Sequence, residues 1–148
     1  MKFQSSKTWG AEQGLSCTFR QWRANTSHCK FLHGYSIGVK LTFETEKLDY
    51  RNWCYDFGNT KWIKEILVTQ FDHTTVIAFD DPEVDTFSLM ARAGLIQLRL
   101  VEAVGCEKFA EWIFKEIATR IHTETHGRVR VASVEVFEHG ANSAKVIA

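Results

Sequence analysis

Over residues 35–44 the chain alternates without a break: Tyr35, Ile37, Val39, Leu41 and Phe43 interleave with Ser36, Gly38, Lys40, Thr42 and Glu44. Successive side chains of a strand point to opposite faces, so this period of two predicts a strand with one buried and one polar face. Such a strand constrains the rest of the chain, because its apolar face needs strands beside it and a layer above it. Trp62, Ile63, Ile66, Leu67 and Phe71 follow helical spacing and can supply that layer. Residues 107–122 predict a second helix, with Phe109, Trp112, Ile113, Glu116, Ile117 and Ile121 on its inner stripe.

Residues 15–20, 94–101 and 128–138 read as further strands. The apolar parity of the last one switches between Val131 and Val134, which predicts a bulge at Ala132 or Ser133. The stretch "FDHTTVIAFDDPEVDTF" reads as a loop, with Asp-Asp-Pro as its turn signal. The order is strand, strand, helix, strand, helix, strand. That is an α+β layout with two helices on one face of a four-stranded sheet. The opposite, polar face is left to lie against another subunit or to line a pore.

Eighteen basic residues balance eighteen acidic ones in a chain of 148 residues. One domain spanning residues 1–148 is expected at this length, and the charge balance argues against nucleic acid or a membrane surface as partner. No apolar run reaches membrane-spanning length, and "MKFQSSKTWGAEQGL" lacks the apolar core of a signal peptide. Cys17, Cys29, Cys54 and Cys106 show no CxxC pairing. A cytoplasmic protein with free thiols is the expectation.

Chemistry gathers around "SHCKFLHGYSIGVKL", where Cys29 and His33 precede the alternating strand and Tyr35 opens it. A cysteine there can serve as nucleophile or base if a neighbour stabilises its thiolate, although a lone cysteine more often packs as a small hydrophobe. In "DHT", Asp72 can fix the tautomer of His73 and raise its basicity. Together Cys29, Asp72 and His73 could form a Cys-His-Asp relay. Glu138 ends the last strand, where a carboxylate is usually just solvated. Glu107 opens the second helix, where the helix dipole alone accounts for an acid. His122, His126 and His139 lack metal-ligand spacing, and phosphate loops and GxSxG are absent.

Five segments, in order, resemble the 6-pyruvoyl- and 6-carboxytetrahydropterin synthases of the T-fold. "CKFLHGYSIGVKL" is similar to that family's C-x-x-L-H-G-H segment and following strand, and "YDFGNTKWIKEIL" to its D-F-G-x-L-K segment. "FDHTTVI" resembles D-H-x-x-L-N, "GCEKFAEWIFKEI" resembles the P-T-x-E-N-L-A helix start, and "VEVFEHGANSA" resembles the closing V-x-V-x-E-T strand. The resemblance implies a four-stranded antiparallel sheet with two helices on one face, assembled into a ring or barrel, as a homohexamer of two stacked trimers. It implies a lyase acting on a dihydroneopterin-type substrate in sites between subunits. Cys29, Asp72 and His73 fall on the catalytic positions. Glu138 falls on the glutamate that grips the pterin edge, and Glu107 on the helix-start glutamate. A non-catalytic T-fold protein that binds a pterin or purine is the alternative.

The departures concern zinc, which the family holds with three histidines. "LSCTFRQ" puts Phe19 at the first ligand position and "HGY" puts Tyr35 at the third, so His33 alone remains. Catalytic zinc ordinarily takes three protein ligands and a water. No metal is therefore expected in the usual site, although Cys17, Cys29 and His33 could be imagined as a rebuilt one. "VGC" replaces P-T, and "DHTTVI" lacks the family's L-N, so the pocket rim differs as well.

Overall fold

The alternating stretch forms two strands that belong to two different sheets. In the computed structural model, which describes residues 1–148, β3 (His33–Ser36) and β4 (Gly38–Thr45) are separated at Ile37. The other strands are β1 (Phe3–Trp9), β2 (Ser16–Phe19), β5 (Thr74–Ala78), β6 (Leu98–Val101), β7 (Val129–His139) and β8 (Asn142–Ile147). The helices are α1 (Lys61–Phe71), α2 (Val84–Arg92) and α3 (Cys106–Glu124).

The first sheet has the order β1-β4-β7-β8 and is antiparallel throughout. The buried face of β4 carries Val39, Leu41 and Phe43, all fully buried, as the period of two predicts. β7 carries the expected bulge. Thr42 pairs with Ser133 and Phe43 with Val131, so Ala132 is the extra residue. A second irregularity lies at the far end of β7, where Phe137 pairs with Ser143 but His139 with Asn142. Glu138 is the residue passed over, and a bulge re-aims the side chain it carries.

The second sheet has the order β3-β2-β5-β6, with β2 antiparallel to β3 and parallel to β5, and β5 parallel to β6. Here the sequence expectation differs from the fold. Residues 15–20 and 94–101 give β2 and β6, which lie in this second sheet. The antiparallel sheet is completed instead by β1 and β8. Both are edge strands with polar, weakly patterned sequences, FQSSKTW and NSAKVI, whose outer halves are exposed. The segment expected to be a loop contains β5 and α2. All five residues of β5, TTVIA, are buried, so the strand shows no alternation, as is usual for strands covered on both faces. Of α2 only Phe87 is buried, so its apolar stripe is short.

α3 lies against β7 and β8, and its stripe of Phe109, Ala110, Ile113, Ile117 and Ile121 is buried. Phe71 of α1 meets Phe109 and Trp112 of α3 at ring separations of 5.1 and 5.7 Å. One cluster of 26 buried residues runs through both sheets, α1 and α3. Glu116, the odd member of the predicted stripe, lies outside it. No helix is long and apolar enough to cross a membrane.

Candidate functional site

A cavity of about 200 Å³ opens where the end of β2, the loop after it, the start of α3 and the β7–β8 corner meet. Cys29, Tyr35, Glu107 and Glu138 line it, together with Phe19 and Cys106. Four residues from three distant segments, each singled out above, thus share one pocket. A larger cleft of about 470 Å³ beside Phe3, Trp53 and Phe57 has one carboxylate, Asp56, which is already paired with Arg51.

Cys29 sits on the short helical turn His28–Lys30 and is exposed. Its N–H donates to the Ser27 hydroxyl at 3.2 Å, and its carbonyl accepts the Gln21 N–H at 2.8 Å. Gln21 reaches the other way with its side-chain amide, donating to the Val104 carbonyl at 2.7 Å. One residue therefore ties the cysteine turn to the start of α3. That close approach needs Gly105, whose φ is +111° and where an added Cβ would stand 2.6 Å from the Gln21 amide nitrogen.

Beside Gln21, Arg20 makes a bidentate pair with Asp81, at 2.8 and 2.6 Å, and Asp81 is 2% exposed. Arg23 pairs with Asp80 at 2.6 Å, and Trp22 also donates to Asp80. The "FRQWRA" cations are thus held within the chain.

Positions 19, 33 and 35 come together through strand register, with Phe19 opposite His33 and Cys17 opposite Tyr35. They form a stack of rings. Phe19 lies on Tyr35 at 4.0 Å and 14°, and Tyr35 meets His33 at 4.4 Å. Phe19 also places its face or edge against Phe109 of α3 at 5.0 Å and 80°. His33 is exposed, with Nδ1 2.8 Å from the Phe31 carbonyl, which leaves Nε2 as its free nitrogen. Burial, with the Glu138 carboxylate adding to it, pushes the Tyr35 phenol up to about 12. Burial likewise pushes the Cys106 thiol up to about 11, with Glu138 and Glu107 contributing, and the Cys17 thiol up to about 12. These three groups keep their protons at neutral pH. Cys17, Cys29 and His33 do not gather into a metal-binding group.

Glu138 is half-buried on the second β7 bulge. Neither it nor Glu107 is ion-paired, whereas Glu44, Glu111 and Glu135 each are. Asp72 and His73 form the expected pair, with His73 Nδ1 2.8 Å from Asp72 Oδ1. His73 has a left-handed backbone, φ +56°, and donates its N–H to the Ser16 carbonyl at 2.7 Å. Ser16 is at the opposite end of β2 from Phe19, roughly 10 Å away at strand rise. Within one chain the pair therefore lies away from the Cys29 cavity, and its imidazole is 80% exposed. Gln21, Cys106 and the Asp80–Asp81 anchors were not singled out in the sequence. Cys106 carried a signal, in that it adjoins Glu107 at a helix start.

A mixed two-sheet α+β chain with a carboxylate-rimmed, aromatic-floored pocket at the sheet ends is of T-fold type. Residues 10–147 match the family model for 6-pyruvoyl tetrahydropterin synthase, and the chain belongs to that family. It is 24% identical to the 6-carboxy-5,6,7,8-tetrahydropterin synthase of Aquifex aeolicus (strain VF5), over 98% of each chain. Among solved structures, a Wolinella succinogenes protein superposes with a TM-score of 0.83 at 21% identity, covering 99% of this chain and 98% of the other. The Plasmodium falciparum 6-pyruvoyl tetrahydropterin synthase superposes with a TM-score of 0.65 at 14% identity, covering 98% and 96%. Both likenesses establish the fold.

Proposed function

We propose that this chain is a tetrahydropterin synthase-like lyase that acts on a dihydroneopterin-type substrate without zinc. The observation that carries the reading is the shared cavity of Cys29, Tyr35 and an unpaired Glu138 over an aromatic floor. Glu138 accepts two parallel N–H groups from the ring's guanidine-like edge, and Glu107 holds the rim. The residues present do not fit zinc. Phe19 has no donor atom, Tyr35 keeps its proton, and His33 is the single remaining family ligand.

The chemistry compatible with this donor set is a retro-aldol cleavage of the substrate side chain. A base takes the proton from the second side-chain hydroxyl, a carbonyl forms there, and the bond between the first and second side-chain carbons breaks. The electron pair enters the dihydropterin ring, and a proton returned to the first carbon completes a hydroxymethyl product and glycolaldehyde. Tyr35, a phenol protonated at neutral pH, is the proton donor. Asp72 orients His73 as the base, with Cys29 completing the reactive group. Because that pair stands apart from the cavity in one chain, the complete site takes Cys29 from one subunit and His73 from another of a homohexamer.

One observation favours the second reading, a pterin- or purine-binding T-fold protein without turnover: the cavity of a single chain contains no basic imidazole. Incubation with 7,8-dihydroneopterin, followed by chromatography and mass spectrometry, separates the two. Hydroxymethyl-dihydropterin with glycolaldehyde is expected, and this product should disappear in His73→Ala. Binding without product favours the second reading, and absence of both overturns the pterin assignment.

A further inference from the structure

The turn that carries Cys29 is held to the rest of the chain by few bonds. Its local hydrogen bonds, from the Lys30 N–H to the Ser27 carbonyl at 3.3 Å and from the Phe31 N–H to the His28 carbonyl at 3.1 Å, shape the turn without anchoring it. Arg20, Trp22 and Arg23 tie the preceding segment to Asp80 and Asp81, and the Arg20 guanidinium also reaches the Lys30 carbonyl at 3.5 Å. Toward α3, a single hydrogen bond joins residues 20–31 to residues 103–108, and Gln21 makes it. Its side-chain amide donates to the Val104 carbonyl at 2.7 Å, while its backbone N–H donates to the Cys29 carbonyl at 2.8 Å.

The far end of that bridge fits no other donor. Val104 is buried, and nothing else in the chain donates to its carbonyl. Gly105 is the N-cap residue of α3, without a capping side chain, and the Gln21 amide occupies the space that a side chain there would take. Glu107 follows two residues later and lines the same cavity as Cys29. One residue thus sets the cysteine turn at one end and the start of the helix bearing Cys106 and Glu107 at the other. Asparagine is one methylene shorter, and glutamate, of equal length, has no N–H for a carbonyl. The groups assigned to the ring are fixed by other means: Phe19 and Tyr35 by stacking, and Glu138 by its bulge.

We propose that Gln21 is a positioning residue for the reaction, which holds the Cys29 thiol at a fixed place against the start of α3 and so against the side chain of the bound ring. The proposal rests on the pterin reading above and adds a residue to it. Gln21 acts through backbone atoms at both ends and touches the reacting atoms at neither. Its loss leaves the ring held by the floor and by Glu138, but frees the cysteine turn from α3. Small misplacements of a reactive group lower the rate of the chemical step far more than they lower binding.

The test compares the unmodified protein with Gln21→Met, which keeps the length and loses the donor, and with Gln21→Asn, which keeps the donor and loses the reach. With 7,8-dihydroneopterin, kcat should fall by about 10–100-fold in both variants while KM changes little. A second readout needs no turnover: alkylation of Cys29 by iodoacetamide, located by peptide mass spectrometry, with and without neopterin. Cys17 and Cys54 are buried and the Cys106 thiol is pushed up to about 11, so Cys29 is the thiol that reacts. Neopterin should shield Cys29 in the unmodified protein. In both variants the shielding should be largely lost, while fluorescence titration finds neopterin bound as tightly as before. A variant that matches the unmodified protein in kcat and in shielding overturns the proposal. So does one in which kcat, neopterin affinity and the thermal midpoint fall together, the mark of a merely structural glutamine. Neopterin that binds the unmodified protein without shielding Cys29 overturns it as well. If neopterin binds and nothing is turned over, the shielding alone decides. If neopterin does not bind the unmodified protein, the pterin reading fails and this proposal falls with it.

Discussion

Replacing both Phe19 and Tyr35 by histidine should turn the aromatic floor into a zinc site. The three positions already converge, because Phe19 faces His33 across β2 and β3 and the rings of 19, 35 and 33 are 4.0 and 4.4 Å apart in sequence along the stack. Imidazoles in that arrangement need only small rotations to bring three nitrogens to zinc at about 2.0–2.1 Å. The variant has a cost without metal. It loses the Phe19–Tyr35 and Phe19–Phe109 contacts, each worth about 0.5–1.5 kcal/mol. Phe19 is 4% exposed, so a histidine there also buries a polar ring short of partners, at about 1–3 kcal/mol. The apo variant should therefore be less stable by about 2–6 kcal/mol. Free zinc at a hundred times the dissociation constant would return about 2.7 kcal/mol of that. Urea unfolding with and without zinc measures both quantities, and elemental analysis of tag-free protein counts the metal. The expected result is one zinc per chain in the double variant, lost again on His33→Ala, and no zinc-dependent stabilisation of the unmodified protein. The reasoning is refuted if the unmodified, freshly purified protein carries one zinc per chain and loses it on His33→Ala. It is refuted equally if a folded double variant binds none.

Three further outcomes are expected. Glu138→Ala should weaken neopterin binding by about 2–5 kcal/mol, because it removes a charge-assisted pair; unchanged affinity in calorimetry counts against its role. Burial works against the Asp81 charge, but the hydrogen bonds from Arg20 and the Glu83 amide outweigh it, and the carboxyl is held below its ordinary value. Its folded pKa is depressed, so the stability it contributes is present above about pH 4 and is lost as pH falls below that. Urea midpoints measured down the acid limb should show Asp81→Asn with a flatter dependence than the unmodified chain. Finally, β1 and β8 are sheet edges with one side unpaired, and assembly into a ring would pair them with neighbouring subunits. Light scattering at micromolar concentration should find an oligomer, and a monomer would remove the shared site.

What the sequence disclosed depended on how each element is buried. β4, α1 and α3 each have one face in the core, and β7 alternates except where its bulge switches the parity, so their positions could be read. β5 is buried on all five residues and so has no period, and it follows directly on the Asp72–His73 corner. β1 and β8 are edges whose polar residues face water, and nothing local separates such strands from loops. The assignment of strands to two sheets depended on the break at Ile37, inside a pattern that continues smoothly across it. In the site, Cys29, Glu107 and Glu138 were legible because motif order marked them. Gln21 was not, since its role comes from two hydrogen bonds to backbone atoms at residues 29 and 104, and a side-chain-to-backbone contact leaves no residue pattern in the sequence.

Where the family resemblance places metal ligands, this chain carries the rings of Phe19 and Tyr35, and these would change what holds the pocket floor in place. Three histidines on two short strands would be fixed by their common metal. Here Phe19 links the floor to Phe109 of α3, and Phe109 in turn packs on Phe71 of α1, so the floor is continuous with the core. Phe71 and Phe109 are fully buried, and movement of the floor would have to open that packing. Glu138 is set independently, by a bulge at the end of a strand whose other residues are paired with β4 and β8. On the proposed reading, a fixed aromatic floor and a separately fixed carboxylate would give a flat, edge-donating ring one orientation in the pocket. On that reading the side chain of the ring would extend past Tyr35 and Cys29, toward the side of the cavity where the proposed second subunit brings His73. On this account the floor needs no metal to be preorganised, and the reaction available to it is one whose demands are a proton donor and a base.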